Sequence, residues 1–528
     1  MKRILLPLLI LSVFAASMSA QRGNNIDARK LQLALYAISN LYVDSTSETK
    51  LVEDAIVGML EKLDPHSTYT DPEETKEMTE PLQGNFDGIG IQFNMLTDTL
   101  YVIQVIPGGP SEKVGLMAGD RIIMVDDTLI AGVKMKNTDV MKRLRGPKNT
   151  EVRVKVLRGG VPDLIEFKIT RGKIPVYSLD AAYMADKTTG YIKLNRFAAS
   201  SADEFREALE KLKKQGMKDL ILDLQGNGGG YLNIAIDLAD EFLGKDKLIV
   251  YTEGNKQPRE EAKSSARGGF EEGRLVVLVD ETSASASEIL SGAVQDWDRG
   301  VVVGRRTFGK GLVQKPIPMP DGSMIRLTIA RYYTPAGRCI QKPYDSSTDY
   351  NKDLIERFNH GELMNADSIH FPDSLKVQTK KLGRTVYGGG GIMPDYFVPI
   401  DTTLYTDYHR NLVAKGAVIK FTMKFIEGHR KELANKYKKF ESFNEKFIID
   451  DDMLATLREM GEKEGVKFNE EQYQKSLPLI KTQLKALIAR DLWDMNEYFR
   501  VMNTTNESIQ KALEILNSDE YQKKLRAN

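Results

Sequence analysis

Leu275-Val276-Val277-Leu278-Val279-Asp280-Glu281-Thr282-Ser283-Ala284-Ser285-Ala286-Ser287-Glu288 is the stretch that decides the fold. Its five leading apolar residues make a run of strand length, the kind expected when helices cover both faces of a sheet. Behind it, Ile289, Leu290, Ala293, Val294 and Trp297 form a helical apolar face. The segment therefore reads as strand, tight small-residue turn, and a helix beginning near Ser285. Such a turn presents a hydroxyl at the positive end of a helix, where backbone N–H groups are unpaired. A Ser-rich helix cap without further role is the competing reading.

A nucleophilic Ser needs a base, and the chain has only 5 His, none in a motif beside this turn. Phe308-Gly309-Lys310-Gly311 follows the short apolar run Val301–Val303 and offers an amine between two glycines, which let the backbone bend tightly. Lys serves as base only when neutral. Near pH 7 that requires its pKa to fall by about 3 from about 10.4, roughly 4 kcal/mol against the cation. Gln314, four residues on, is placed to hold the amine; a surface Lys in a glycine hairpin is the alternative. The third element is Asp223-Leu224-Gln225-Gly226-Asn227-Gly228-Gly229-Gly230, which follows the apolar run Leu220–Leu222. Its glycines suit backbone N–H donors aimed at an oxyanion. A phosphate cradle is the rival, but neither dinucleotide nor Walker spacing is present.

Around this centre the texture changes several times. Residues 27–63 carry helical stripes, with Leu31, Leu35, Ile38 and Leu41, then Val52, Ile56, Met59 and Leu60. From about Phe86 to Thr170 short β runs alternate with Gly and Pro, and after Ile174 strands and helices alternate. Ser201 with Glu204 three residues later has capping-box spacing. Residues 345–385 are polar and poorly periodic, as in an insertion or long loop, and 410–528 are Lys/Glu-rich with helical stripes such as Leu477, Ile480, Leu484 and Leu487.

Composition narrows the function. The 528 residues suggest three or four domains. Lys+Arg and Asp+Glu are 74 each, which removes the bulk electrostatic case for a nucleic-acid partner. The single Cys339 excludes an intrachain disulfide and a thiolate-rich metal site. Lys2-Arg3, the apolar run Ile4–Ala16 and the small residues within Ser17-Met18-Ser19-Ala20 have the order of a secretory signal peptide, with an uncleaved anchor or a buried helix as the alternative. Its removal takes two cations and leaves a formal charge of −2. The expectation is an exported, periplasmic or similarly placed protein without a stable membrane span after processing.

Taken together, Ser283-Ala-Ser-Ala-Ser-Glu288 and Phe308-Gly-Lys-Gly-x-x-x-Gln314 resemble the C-terminal processing peptidases, or tail-specific proteases. Further marks stand in order: Leu63-Asp-Pro-His-Ser-Thr-Tyr69, the segment 223–230, Thr334-Pro-Ala-Gly-Arg-Cys-Ile-Gln341 and Gly390-Gly-Ile-Met-Pro-Asp395. The resemblance covers about residues 30–400. It implies Ser285 as nucleophile, Lys310 as base 25 residues later, and Gln314 as the residue orienting the amine. Two departures stand out: Gln225 and Gly228, where the family more often has Arg and Pro.

The resemblance implies a multidomain α/β fold: a PDZ domain of β-sandwich type before a crotonase-like α/β peptidase core, with helical N- and C-terminal regions. The expected segments are signal peptide 1–20, helical segment 21–81, PDZ 82–172, serine peptidase core 173–400 and helical domain 401–528. Ala286 with Gly229 or Gly230 would form the oxyanion hole. Gly88 and Gly90 would free N–H groups for a terminal carboxylate, and Ile89, Ile91 and Phe93 would contact the tail as it adds to the sheet edge. An ordinary β-hairpin core is the alternative for these five. The implied function is a serine endopeptidase acting on polypeptides with exposed C-terminal tails, with no metal or organic cofactor. A homodimer and adaptor regulation stay open. Two rivals remain: a non-catalytic PDZ-bearing envelope scaffold on a degenerate peptidase core, and hydrolysis or isomerisation of a small acyl substrate.

Overall fold

The computed structural model describes residues 26–96, 98–344 and 350–526. The leader-like segment 1–20 lies outside the described residues. The chain divides into two units. One comprises the described residues up to Thr75 together with Gln314–Thr328; the other comprises Lys76–Val313 together with Ile329 onward.

In the larger unit, Leu275–Val279 is the fourth strand of a six-stranded sheet. The order is Leu179–Met184, Thr189–Leu194, Asp219–Asp223, Leu275–Val279, Val301–Gly304 and Tyr396–Phe397. Only the first pair is antiparallel. Every residue of Leu275–Val279 is buried, because helices cover both faces. On one face Leu275, Val277 and Val279 pack with Phe205, Leu238, Ile289 and Leu290, from helices Ser201–Lys214, Leu232–Asp240 and Ala286–Asp296. On the other, Val276 and Leu278 meet Ile509, Ala512, Ile515 and Tyr521. The second cover thus comes from helices Glu507–Asn517 and Glu520–Lys524 at the far end of the chain. The remaining C-terminal helices, from Asp407 to Met502, build their own core around Leu412, Phe421, Phe443, Leu457 and Leu484.

Residues 91–170 form an antiparallel sheet in the order Ile91–Leu96, Thr99–Val105, Arg121–Val125, Glu151–Leu157, Ile165–Thr170, with helix Asn137–Leu144 closing its core. Ile91–Leu96 is an edge strand, paired on one side only. The smaller unit holds helices Ile26–Leu41 and Glu48–Leu60, and strand Thr68–Thr70 pairs antiparallel with Met324–Arg326. No helix among the described residues is long and apolar enough to cross a membrane.

Three local expectations need correction. The stretch expected as an insertion or loop holds helix Asp353–Asn359 and a ribbon of Lys376–Gln378 with Thr385–Tyr387, its residues 345–349 lying outside the described ones. Glu204 does not cap at Ser201. Helix Ser201–Lys214 starts from Ser200, whose hydroxyl donates to Glu204 Oε1 at 2.6 Å, while Glu204 Oε2 accepts the N–H groups of Ser178 and Leu179. The hairpin Leu248–Gly254 and Gln257–Lys263 was not expected, since its charged outer strand stays largely exposed and lacks an apolar period.

Candidate active site

The turn after Leu275–Val279 is shaped by Asp280. Its Oδ1 accepts the N–H groups of Thr282 and Ser283 at 2.9 and 3.0 Å, and its Oδ2 accepts Gly226 N–H at 2.9 Å. The flanking serines tie the turn to the glycine-rich segment: Ser283 Oγ donates to Leu224 O and Ser287 Oγ to Asn227 O, both at 2.8 Å. Gly229 must be glycine here, because a Cβ would lie 2.9 Å from Ser285 Cβ and 3.0 Å from Ala286 N. Ser285 itself has φ 54 and ψ −112, a sparsely populated conformation for a residue with a Cβ. It stands at the N-terminus of helix Ala286–Asp296, half-buried among buried neighbours.

Glu288 joins this turn to the Lys310 loop. It is fully buried; Oε2 accepts Ser285 N–H at 2.8 Å and Lys310 N–H at 2.9 Å, while Oε1 accepts Thr307 Oγ1–H at 2.5 Å and Gly309 N–H at 2.7 Å. Burial pushes its pKa up to about 7, against the pull of these four donors. From below, the buried Tyr332 hydroxyl donates to Lys310 O at 2.5 Å and also lies 3.1 Å from Ser285 O. The Lys310 loop is further held by Thr307, whose Oγ1 accepts Ile392 N–H at 2.6 Å, and by Gly309 O, which accepts Lys342 N–H at 2.9 Å. Thus the segments Gly390–Asp395 and Thr334–Gln341 build the wall behind the loop; Gln341 Oε1 accepts Gly311 N–H at 2.8 Å.

Of the expected oxyanion donors, Ala286 N–H is the first of its helix, where N–H groups have no intrahelical carbonyl. Gly229 N–H is already donated to Asn227 Oδ1 at 2.9 Å, which removes Gly229 as a donor. Gly230 fits better. The bridge between Phe197 and Gly230 uses Phe197 N–H to Gly229 O and Tyr231 N–H to Phe197 O, leaving Gly230 N–H outside both bonds. The two departures from the family pattern are accommodated. Gln225 Nε2 reaches Ser508 Oγ at 3.3 Å, a link to the C-terminal helix, and a Cβ at Gly228 would meet nothing within 4 Å.

Gln314 belongs to the smaller unit. Its Nε2 donates to Thr328 Oγ1 at 3.3 Å; that hydroxyl donates to Asp64 Oδ1 at 3.0 Å, and Asp64 Oδ2 accepts Ser67 Oγ–H at 2.6 Å. The segment Leu63–Tyr69 therefore supports the Gln314 carboxamide, a connection sequence spacing does not reveal.

On the β-sheet of residues 91–170, Ile91 and Phe93 are half-buried on the edge strand, and Gly90 has φ 79. Ile89 is buried in the domain core and its carbonyl accepts Ser111 N–H, so it packs inward and does not line a surface pocket. Gly88 ends a separate two-stranded ribbon, opposite Gly172.

Comparison with known proteins matches four stretches of the chain. Residues 188–348 match peptidase family S41, 88–169 match the PDZ domain, 12–75 match the N-terminal domain of the activating protease CtpB, and 408–494 match a family of unknown function. The carboxy-terminal-processing protease of Bartonella bacilliformis is 37% identical over 306 residues, 57% of this chain and 69% of that one. The carboxy-terminal processing protease CtpB of Bacillus subtilis is 35% identical over 336 residues, 62% of this chain and 68% of that one. A probable CtpA-like serine protease of Staphylococcus aureus is 32% identical over 448 residues, spanning 83% of this chain and 85% of that one. With a PDZ domain ahead of an S41 core and this similarity along most of its length, the chain belongs to the carboxy-terminal processing proteases.

Proposed function

We propose that this peptidase is an exported serine endopeptidase working through a Ser285–Lys310 dyad. The observation that carries the reading is the joint anchoring of Ser285 and Lys310, whose main chains share the same two buried side chains, Glu288 and Tyr332. In this reading the neutral Lys310 amine takes the Ser285 proton as Oγ attacks the scissile carbonyl carbon. The N–H groups of Ala286 and Gly230 receive the negative charge that develops on the carbonyl oxygen. The C–N bond then breaks as Lys310 returns the proton to the leaving amine. Water, deprotonated in turn by Lys310, cleaves the acyl-enzyme, releases the new carboxyl terminus and restores Ser285. Export rests on Lys2-Arg3 and the apolar run behind them.

Tail capture falls to the PDZ domain. Its edge strand Ile91–Leu96 offers an unpaired side for an incoming strand, with Ile91 and Phe93 beside it. The test is cleavage of an unfolded polypeptide with an apolar C-terminal tail, free or amidated. The free-tail substrate should be cut at least about tenfold faster at subsaturating concentration, one lost charge-assisted contact being worth about 1.5–3 kcal/mol. Equal rates would remove the tail-capture role, and no cleavage of either would remove the peptidase reading.

Thr328 gives a separate test of the orienting role that the family resemblance assigns to Gln314. Thr328→Val keeps the shape and deletes the hydroxyl between Gln314 and Asp64. With the carboxamide released, kcat should fall by about tenfold, the worth of about 1.4 kcal/mol of positioning. Wild-type kcat in Thr328→Val would detach this network from catalysis.

A further inference from the structure

Glu288 and Tyr332 have no assigned part in the reaction, yet each bonds to both members of the dyad through the main chain. Glu288 takes the two N–H groups, and Tyr332 lies on the two carbonyl groups. They come from different places: Glu288 from the first turn of helix Ala286–Asp296, and Tyr332 from strand Met324–Tyr333, in the part belonging to the larger unit. Both are buried, and both reach the dyad through its main-chain N–H and C=O groups.

We infer that Glu288 and Tyr332 form a positioning clamp that holds Ser285 in its strained conformation and fixes the Lys310 loop against it. This inference rests on the Ser–Lys reading. The chemistry of the carboxylate makes it specific. An ionised carboxylate only accepts, with about four lone-pair sites, and here four donors occupy them: Ser285 N–H, Lys310 N–H, Gly309 N–H and the Thr307 hydroxyl. Thr307 has no freedom to turn its proton away, since its oxygen is already the acceptor for Ile392 N–H. A protonated Glu288, or an amide in its place, puts a donor among donors and must release part of the clamp.

Burial is the largest influence on the carboxylate, ahead of the four hydrogen bonds it accepts. The titratable and charged groups on the elements around it are Tyr332 and Lys310, Cys339 and Tyr350 beside Tyr332, Lys342 against Gly309, and the buried Arg357, which donates to Thr307 O at 3.1 Å; Arg305 and Arg306, just before the loop, are paired with Glu281 and Glu362. The ionised clamp therefore opposes stability. With a folded-state pKa of about 7, above the unfolded value, the stability is fully present below the unfolded pKa and is lost as pH rises through 7. The ionised form, the one able to accept all four hydrogen bonds, is the one populated as pH rises past about 7.

The experiment compares wild type, Glu288→Gln, Tyr332→Phe and Ser285→Ala in the full chain, using a tailed unfolded polypeptide as substrate. Glu288→Gln should lower kcat by about 100-fold with KM within about threefold, as expected when reacting groups are displaced by an ångström. Tyr332→Phe, which keeps the ring packing, should lower kcat by about tenfold with KM likewise steady. The melting temperature of Glu288→Gln should also lose the downward slope between pH 5 and 8 that Glu288 contributes to the wild type. Should Glu288→Gln fail to fold, Tyr332→Phe alone decides. A kcat within about twofold of wild type in Tyr332→Phe, or KM rising in step with a fall of kcat, overturns the clamp. Turnover retained in Ser285→Ala removes the Ser–Lys reading instead, so the two failures are distinct.

Discussion

Ser285→Ala and Lys310→Ala are each expected to lose turnover of an unfolded, tailed polypeptide by on the order of 10⁴-fold or more, with substrate binding retained. The double variant should be no worse than either single one. Nucleophile and base act as one unit: without the base, the hydroxyl stays protonated, and without the hydroxyl there is nothing to activate. What survives is the contribution of the oxyanion donors and of binding alone. A Lys base must be neutral, so wild-type activity should climb toward alkaline pH. Additive losses in the double variant, near-normal turnover in either single one, or activity falling above pH 7 would each contradict the dyad.

Arg338→Met is expected to destabilise the chain by about 3–5 kcal/mol. Arg338 and Asp296 are both fully buried, with Arg338 Nη2 2.5 Å from Asp296 Oδ1. Arg338 Nη1 also donates to Tyr387 O at 3.0 Å, and Asp296 Oδ2 accepts Ala336 N–H at 2.8 Å. Removing the cation strands the Asp296 carboxylate at the end of the helix that starts at Ser285. Breaking a buried pair costs far more than its net worth, because the remaining charge has no water to turn to. Replacing both partners with apolar residues of similar size, Arg338→Met with Asp296→Leu, should recover much of the loss. Chemical denaturation measures both, and a Met variant within about 1 kcal/mol of wild type would contradict this account.

Much of this architecture is legible in local sequence. Five consecutive apolar residues before a small-residue turn predict a strand buried on both faces, and Leu275–Val279 is one. The β texture of 86–170 becomes an antiparallel sheet for the same reason: apolar residues recur at the strand period. The capping box is instructive in both directions. Its spacing at Ser201 and Glu204 misleads, since Glu204 turns to Ser178 and Leu179. At Ser285 and Glu288 the same spacing passes for part of a motif, yet there Glu288 does accept the N–H of Ser285 and then of Lys310 as well. Spacing says that a carboxylate can reach back one turn. Which donors stand around it depends on chains that arrive from elsewhere.

The sequence by itself determined the strand–turn–helix that carries Ser285, the glycine loop that carries Lys310, the short β runs of 86–170 and the helical ends, because each rests on patterning within a few residues; the PDZ domain came from the resemblance of its motifs. Only the tertiary structure decided that Glu288 and Tyr332 meet both Ser285 and Lys310, that Asp64 and Thr328 stand behind Gln314, and that helix Glu507–Asn517 covers the second face of the core sheet. The physical reason is range. Apolar periodicity encodes which face of an element leaves water, but not which distant element covers it. A buried donor or acceptor must be satisfied, and its partner is whichever group packing has brought within about 3 Å.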